Sequence, residues 1–192
     1  FLFDDPNEDV RIAAWTTTPW TLPSNTALSA GPDISYIKIK TSNPYTHTPV
    51  SVVLAEALVP TWFGGKNQST VEGQSAAFKG SQLKGIRYEP LLDFGNEIEP
   101  LLGGTDAYLV LTGDHVTTSD GTGIVHTAPS FGADDQRVAK ANGVGTLTLV
   151  DQTGKFKENV GPYSGRYVKD YKDEPGYVAV DIDIAVQLKT EG

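Results

Sequence analysis

Two short segments of this chain concentrate polar side chains of the types that do chemistry. The first runs Thr16, Thr17, Thr18, Pro19, Trp20, Thr21, Leu22, Pro23, Ser24, Asn25, where six of ten side chains are hydroxyls or amides. Pro19 and Pro23 fix their own φ and bias Thr18 and Leu22 toward extended backbone, so the segment is predicted to hold its side chains still. A rigid loop of hydroxyls beside an indole can offer donors and acceptors to an ester or a ribose while the aromatic face covers an apolar group. The plainer reading is that three threonines in a row are strand formers at a sheet edge and that the prolines end the strand.

The second segment, Gly121 to Asp135, reads GTGIVHTAPSFGADD. A Gly-rich turn feeds a short apolar strand ending in His126, and a Pro-Gly loop then leads to Asp134 and Asp135 at the start of a helix. Such a strand-loop-helix junction is a common place for a site. A carboxylate in the first turn is favoured by the helix dipole and tends to stay ionised, so either acid could receive an ammonium group. Equally, each could do no more than stabilise its own helix. His126 reads as a satisfied core histidine, a metal ligand or an acid-base group. Metal is rejected, because no i, i+4 histidine pair and no thiolate supports it. A serine hydrolase is rejected too, since Ser130 sits in P-S-F-G and not in a G-x-S-x-G elbow.

The elements that must position these groups are short. Twenty glycines and twelve prolines break the chain into brief segments, which favours strands. Strands are predicted at Val10 to Trp15 (buried), Ile34 to Lys40, Pro49 to Leu54, Ala107 to Thr112, Gly123 to His126 and Thr146 to Val150. In the second of these, Ile37 and Ile39 oppose Lys38 and Lys40. Helices are predicted at Leu54 to Val59 and at Ala133 to Asn142, where acids lead, bases follow and Gly143 stops the helix. Tyr177 to Lys189 alternates like a strand through Ile184 and then turns helical. Gly64 to Gly85 is polar and Gly-rich and reads as a surface excursion.

Composition bounds the rest. With 192 residues and 39% hydrophobic content, the chain suits one globular domain spanning 1–192. No run of eighteen apolar residues is present and the N-terminus is acidic, so neither membrane insertion nor export is expected, and a cytoplasmic location follows. The chain has no cysteine, which removes thiolate chemistry, and no methionine, which suggests a fragment. A formal charge of −9 is the wrong sign for gripping a long phosphate backbone, so any nucleic-acid contact should be small and local.

Taken together, WTTTPWTLPSN (Trp15 to Asn25) and, about a hundred residues on, GTGIVHTAPSFGADD resemble the paired signature segments of isoleucyl-tRNA synthetase editing domains. Phe78 to Leu92 (FKGSQLKGIRYEPLL) and Gly154 to Val168 are also similar, and only the Asn43 to Thr48 loop and the tail beyond Lys169 are undistinctive. Threonine where leucyl and valyl relatives typically carry TTRP, and histidine at position 126, favour the isoleucyl branch. The parent's HIGH-like and KMSKS-like segments are absent, so no amino-acid activation is expected from this chain.

The resemblance implies an α+β, mostly β fold with a β-barrel-like core and peripheral helices. It implies a hydrolase that deacylates valine mischarged on isoleucine tRNA, with valyl-adenylate as companion substrate. A pocket for isoleucine rejects valine by only roughly 1–3 kcal/mol, an example the family itself supplies, and a second site that excludes isoleucine by bulk corrects the residue. Carried over by position, His126 forms the size-excluding wall and Asp135 holds the α-ammonium. Thr16, Thr17 and Thr18 bond the ester and terminal ribose, Trp20 and Thr21 line the valine pocket, and Asn25 braces the loop. No evident nucleophile is present, so a positioned water is expected to attack. No cofactor is expected in this domain, ATP and Mg serving the parent enzyme. The expected partners are the 3′ end of isoleucine tRNA, the misacylated valine and the rest of the synthetase, with no membrane. The rival reading is a module that binds the tRNA end without hydrolysis.

Overall fold

The computed structural model describes residues 5–65, 69–169 and 179–191. Its strands are β1 (Val10–Ile12), β2 (Ala27–Ala30), β3 (Ser35–Ser42), β4 (Pro49–Ala55), β5 (Gly73–Gln74), β6 (Phe78–Lys79), β7 (Leu109–Thr112) and β8 (Ile124–Thr127). The helices are α1 (Val59–Trp62), α2 (Ala133–Ala141) and α3 (Val180–Glu191), with short 3-10 turns between elements.

The β-branched and aromatic run in β3 lies inside the larger sheet, paired on both sides. β3 pairs antiparallel with β4 on one side and with β5 and β6 on the other, and β1 adds to β4 in parallel. Ile37, Ile39 and Leu54 are buried, each burial contributing roughly 1.5–3 kcal/mol. Lys40 is exposed, whereas Lys38 is half-buried and paired with Glu8 at 2.5 Å. The smaller sheet has the order β7-β2-β8, with β2 parallel to β7 and antiparallel to β8. The main core lies where the two sheets meet: Leu28, Ala30, Val110 and Ile124 from the smaller pack with Tyr36, Val53 and Ala55 from the larger. Tyr36 is fully buried, and its hydroxyl donates to the Gly123 carbonyl at 2.6 Å while accepting from the Gly31 amide at 2.9 Å.

Gly123 explains how the sheets can touch. Its φ of +76° favours glycine, and a Cβ there would stand 2.4 Å from the Ala55 Cβ. With that contact open, the Ala55 amide reaches the Thr122 carbonyl at 2.8 Å and β8 starts directly over the end of β4.

The structure corrects several expectations. The fold is mixed α/β with more strand than α-helix, but the described residues form no closed barrel. The sheets are joined by contacts such as the isolated Trp15–Val125 bridge and not by a continuous ladder, which barrel closure requires. The predicted strand from Val10 ends at Ile12 and is only half-buried, because β1 is an edge strand; Trp15 is 41% exposed. Thr146 to Val150 forms single bridges to Glu99 and Phe156 and no strand.

β2 was not anticipated. Within Tyr177 to Lys189, the described part is helical from Val180, and residues 177 and 178 lie outside the described residues. Val180 and Ile184, four apart, are the buried residues of α3. β3, β4, β7, β8 and α2 fall where predicted, within a residue or two, and the short Leu54 to Val59 helix is a 3-10 turn at Glu56–Leu58 running into α1. The Gly64 to Gly85 excursion supplies β5 and β6, which cover the free edge of β3.

Candidate active site

The two polar segments meet at His126. Residues Pro19–Ser24 form a 3-10 helix opened by Thr18, with Pro19 in its first turn where the missing N–H costs nothing. That turn aims Thr21 at β8, where His126 sits opposite Leu28 of β2 and is 6% exposed. Thr21 Oγ1 and His126 Nε2 are 2.9 Å apart. On the other side of the ring, Asn25 Nδ2 lies 2.8 Å from His126 Nδ1.

The orientation of Asn25 fixes the proton on the ring. Its Nδ2 also donates to the Ala27 carbonyl at 2.8 Å, and its Oδ1 accepts from the Tyr88 hydroxyl at 2.5 Å. Nδ2 therefore faces His126 as a donor, Nδ1 is the bare nitrogen and Nε2 carries the hydrogen. Nε2–H then donates to Thr21 Oγ1, whose own hydrogen goes to the Thr18 carbonyl at 2.8 Å. Every group in this chain is satisfied in one direction, and neither ring nitrogen is left for a metal or a substrate proton. Desolvation pushes the imidazole down to about 4, so the ring is neutral at physiological pH.

Asp135 is held near the same strand end. Its Oδ2 accepts from the Ala128 amide at 2.9 Å, two residues beyond His126. A Cβ on Gly132 would stand 2.8 Å from the Asp135 carboxyl carbon, so the glycine makes room for this approach. Burial pushes the carboxyl up from its ordinary value, opposed in part by the Ala128 N–H and the His115 charge. Burial thus works against the tendency to stay ionised that its position in the helix predicts. Asp134 is exposed and pairs with Arg137 at 3.2 Å on the helix surface.

The remaining predicted residues divide. Thr16 Oγ1 accepts from the Thr18 amide at 3.1 Å and lies 3.4 Å from Thr18 Oγ1, which is 3.5 Å from Thr21 Oγ1, so three hydroxyls form a connected row. Thr17 is exposed. Trp20 does not join the histidine network: its amide donates to Asp181 of α3 at 2.7 Å, and its ring meets Phe131 edge-on at 4.9 Å. Ser130 bonds the hydroxyls of Thr146 and Thr148 at 2.6 and 2.9 Å, which pins the loop before α2. Tyr88 was not singled out from sequence, although it lies inside one of the family-like stretches. An open cleft of about 850 Å³ between Asn96 and Gly165 is lined by Thr148 but by none of the predicted site residues. Among the described residues, no helix is long and apolar enough to cross a membrane.

No family model matches the chain. It is 44% identical over 189 residues to an isoleucine–tRNA ligase of Porphyromonas gingivalis, covering 92% of this chain and 16% of that protein. It is 42% identical over 196 residues to that of Bacteroides thetaiotaomicron (93% and 17%) and 35% identical over 195 residues to that of Mycobacterium tuberculosis (97% and 17%). The chain therefore spans 16–17% of the length of these relatives. In fold it matches the Plasmodium falciparum cytosolic leucyl-tRNA synthetase editing domain, with a TM-score of 0.56 at 10% identity over 96% of this chain and 77% of that one. It also matches the GlLeuRS-CP1 crystal structure, with a TM-score of 0.50 at 20% identity over 70% of this chain and 44% of that one. Near-complete coverage of this chain at such identities, with an editing-domain fold, shows that it belongs to the isoleucine–tRNA ligase family, of which it matches one segment.

Proposed function

We propose that the chain is an editing hydrolase that releases valine from mischarged isoleucine tRNA and spares isoleucine, with valyl-adenylate as a companion substrate. The observation that carries this reading is His126, a neutral ring locked between Thr21 and Asn25, beside a row of threonine hydroxyls and two residues from the backbone amide that holds Asp135. A size filter needs a wall that does not yield, and a ring bonded at both nitrogens is stiff.

In this reading the ring carbons of His126 stand where isoleucine's extra methyl group would go. Asp135 Oδ1, which has no hydrogen bond among the described residues, receives the α-ammonium, and an arriving cation draws the half-buried carboxyl back to its charged form. Thr16 and Thr18 bond the ester and ribose. Water attacks the carbonyl carbon, the ester C–O bond breaks, and the departing ribose oxygen takes up the proton. With both His126 nitrogens engaged, the ring is not the base. Acceleration comes from orientation and from hydroxyl donors at the developing oxyanion.

The test is release of labelled amino acid from Val-tRNA and Ile-tRNA bearing the isoleucine anticodon, with wild-type chain and Asp135→Ala. Rapid valine release, spared isoleucine and an inactive variant are expected. If neither ester is cleaved by the chain or by the parent synthetase, the domain only binds the tRNA end.

A further inference from the structure

Tyr88 takes no part in the chemistry above, yet three independent features aim it at the site. Its hydroxyl donates to Asn25 Oδ1 at 2.5 Å. Its amide donates to the Tyr108 carbonyl at 3.0 Å, while the Tyr108 amide donates to the Thr26 carbonyl at 2.7 Å, so the backbone carrying Tyr88 is tied to the residue after Asn25. Tyr108 has a φ of +59°, a strained setting for a bulky side chain that persists only where the surroundings over-determine it. The Tyr108 ring then meets Tyr88 edge-on at 6.2 Å and 74°. Burial pushes the Tyr88 phenol up from its ordinary value, which keeps its hydrogen available to donate.

We propose that Tyr88 is a positioning residue for His126: by donating to Asn25 Oδ1 it holds the carboxamide with Nδ2 toward the imidazole, and so fixes the ring as a single tautomer in a single orientation. Without the phenolic hydrogen, Oδ1 loses its donor, and rotation of the carboxamide is resisted by the Ala27 carbonyl at 2.8 Å and the longer contact to the Thr127 carbonyl at 3.4 Å. A rotated Asn25 presents Oδ1 to Nδ1, the ring proton moves from Nε2 to Nδ1, and the Thr21 hydroxyl turns from the Thr18 carbonyl to the bare Nε2. The wall then has two states, and the turn carrying the threonines loses a bond. The activity consequence rests on the editing reading; the tautomer consequence does not.

The experiment uses uniformly ¹⁵N-labelled chain, in which there are three histidines to assign. Wild type is expected to show His126 protonated at Nε2 and bare at Nδ1, with a hydrogen-bond coupling between Asn25 Nδ2 and His126 Nδ1. Tyr88→Phe is expected to add resonances of the Nδ1–H tautomer and to shrink the ratio of valine to isoleucine release about fivefold, the usual worth of one hydrogen bond. Tyr108→Phe, which keeps the ring but not a hydroxyl used here, should leave the tautomer alone. Tyr88→Phe and Asn25→Ala should be non-additive in that ratio.

An unchanged His126 tautomer in Tyr88→Phe, or no Asn25–His126 coupling in wild type, overturns the proposal, and the second result is readable even if the variant does not fold. A tautomer that responds while no form releases either amino acid keeps the positioning role and sinks the editing reading.

Discussion

Thr21 Oγ1 accepts the Nε2 hydrogen of His126 at 2.9 Å across a sequence separation of 105 residues. With the Asn25–His126 contact at 2.8 Å, this bond joins the two polar segments. The same hydroxyl donates to the Thr18 carbonyl at 2.8 Å. Thr21 is 5% exposed, so solvent does not replace a lost partner. Thr21→Val removes the acceptor while keeping the shape and leaves the His126 Nε2–H unmatched, the Thr18 carbonyl keeping the Thr21 amide at 3.0 Å; this is expected to cost roughly 1–3 kcal/mol of stability. Thr21→Ser keeps the hydroxyl and should cost less. Urea unfolding of both variants checks this, and equal losses would show that the methyl group, not the hydroxyl, matters.

Asp135 is expected to be a site residue that lowers stability. Burial raises its pKa above the ordinary carboxyl value. A carboxyl whose folded pKa is raised binds its proton more tightly in the native state, so it favours folding below the unfolded pKa near 3.8 and loses that contribution as pH rises through the folded pKa. Asp135→Asn keeps an oxygen for the Ala128 amide but carries no charge. It should therefore melt higher than wild type at pH 7, with the difference vanishing on acidification below about 4. Its valine release should fall about 10- to 100-fold, the scale of a hydrogen bond to a charged group. Thermal melts at several pH values and the deacylation assay read the two effects separately. A variant that melts lower at pH 7 would show the carboxylate to be structural.

How far the sequence showed this molecule depends on which forces act locally. β3 and α2 were legible because Ile37 and Ile39 alternate against lysines and because acids, bases and Gly143 frame α2 within one short stretch. β2 was not, because Ala27–Ala30 has two alanines and a serine among its four residues and becomes the central strand only through β7 and β8. The alternation in VAVDIDIAV suggested a strand, yet Val180 and Ile184 bury on one helical face, and Asp181 and Asp183 are engaged by the Trp20 amide and Arg166. The barrel failed for a topological reason, since segments joined by isolated bridges do not close a ladder. For the candidate site, the residues were proposed from the family-like segments. The direction of the hydrogen bonds was not legible, because Tyr88 acts on Asn25 from 63 residues away.

Acidification is expected to weaken the fold through His126. Desolvation depresses its folded pKa to about 4, below the ordinary value near 6.5, so unfolding takes up a proton between those limits. The stability is fully present above pH 6.5, falls as pH drops toward 4, and changes no further from this group below that. The drop amounts to at most about 3 kcal/mol. Denaturant midpoints at pH 7 and pH 5 for wild type and His126→Gln check it: the variant should show a shallower decline. Because the ring stays neutral across pH 5–8, the rate of valine release should show no titration from His126 in that range.

Gly132 offers a way to move the Asp135 carboxylate without altering its chemistry. The backbone at Gly132 is extended, with φ −130° and ψ 131°, so alanine is sterically acceptable to the main chain. The obstacle is the Asp135 side chain: the new Cβ would stand 2.8 Å from its carboxyl carbon and 2.9 Å from Oδ2. Because that oxygen accepts the Ala128 amide at 2.9 Å, relieving the clash means pulling the carboxylate off its anchor. Gly132→Ala should thus retain the fold, cost no more than about 1–3 kcal/mol, and reduce valine release by a factor comparable with Asp135→Asn. A double variant should lose little beyond either single one, since both act on one carboxylate. Deacylation rates with thermal melts provide the readout. Near-wild-type release by Gly132→Ala would mean that the position of the carboxylate tolerates a shift, and that Asp135 does not hold the ammonium through a fixed geometry.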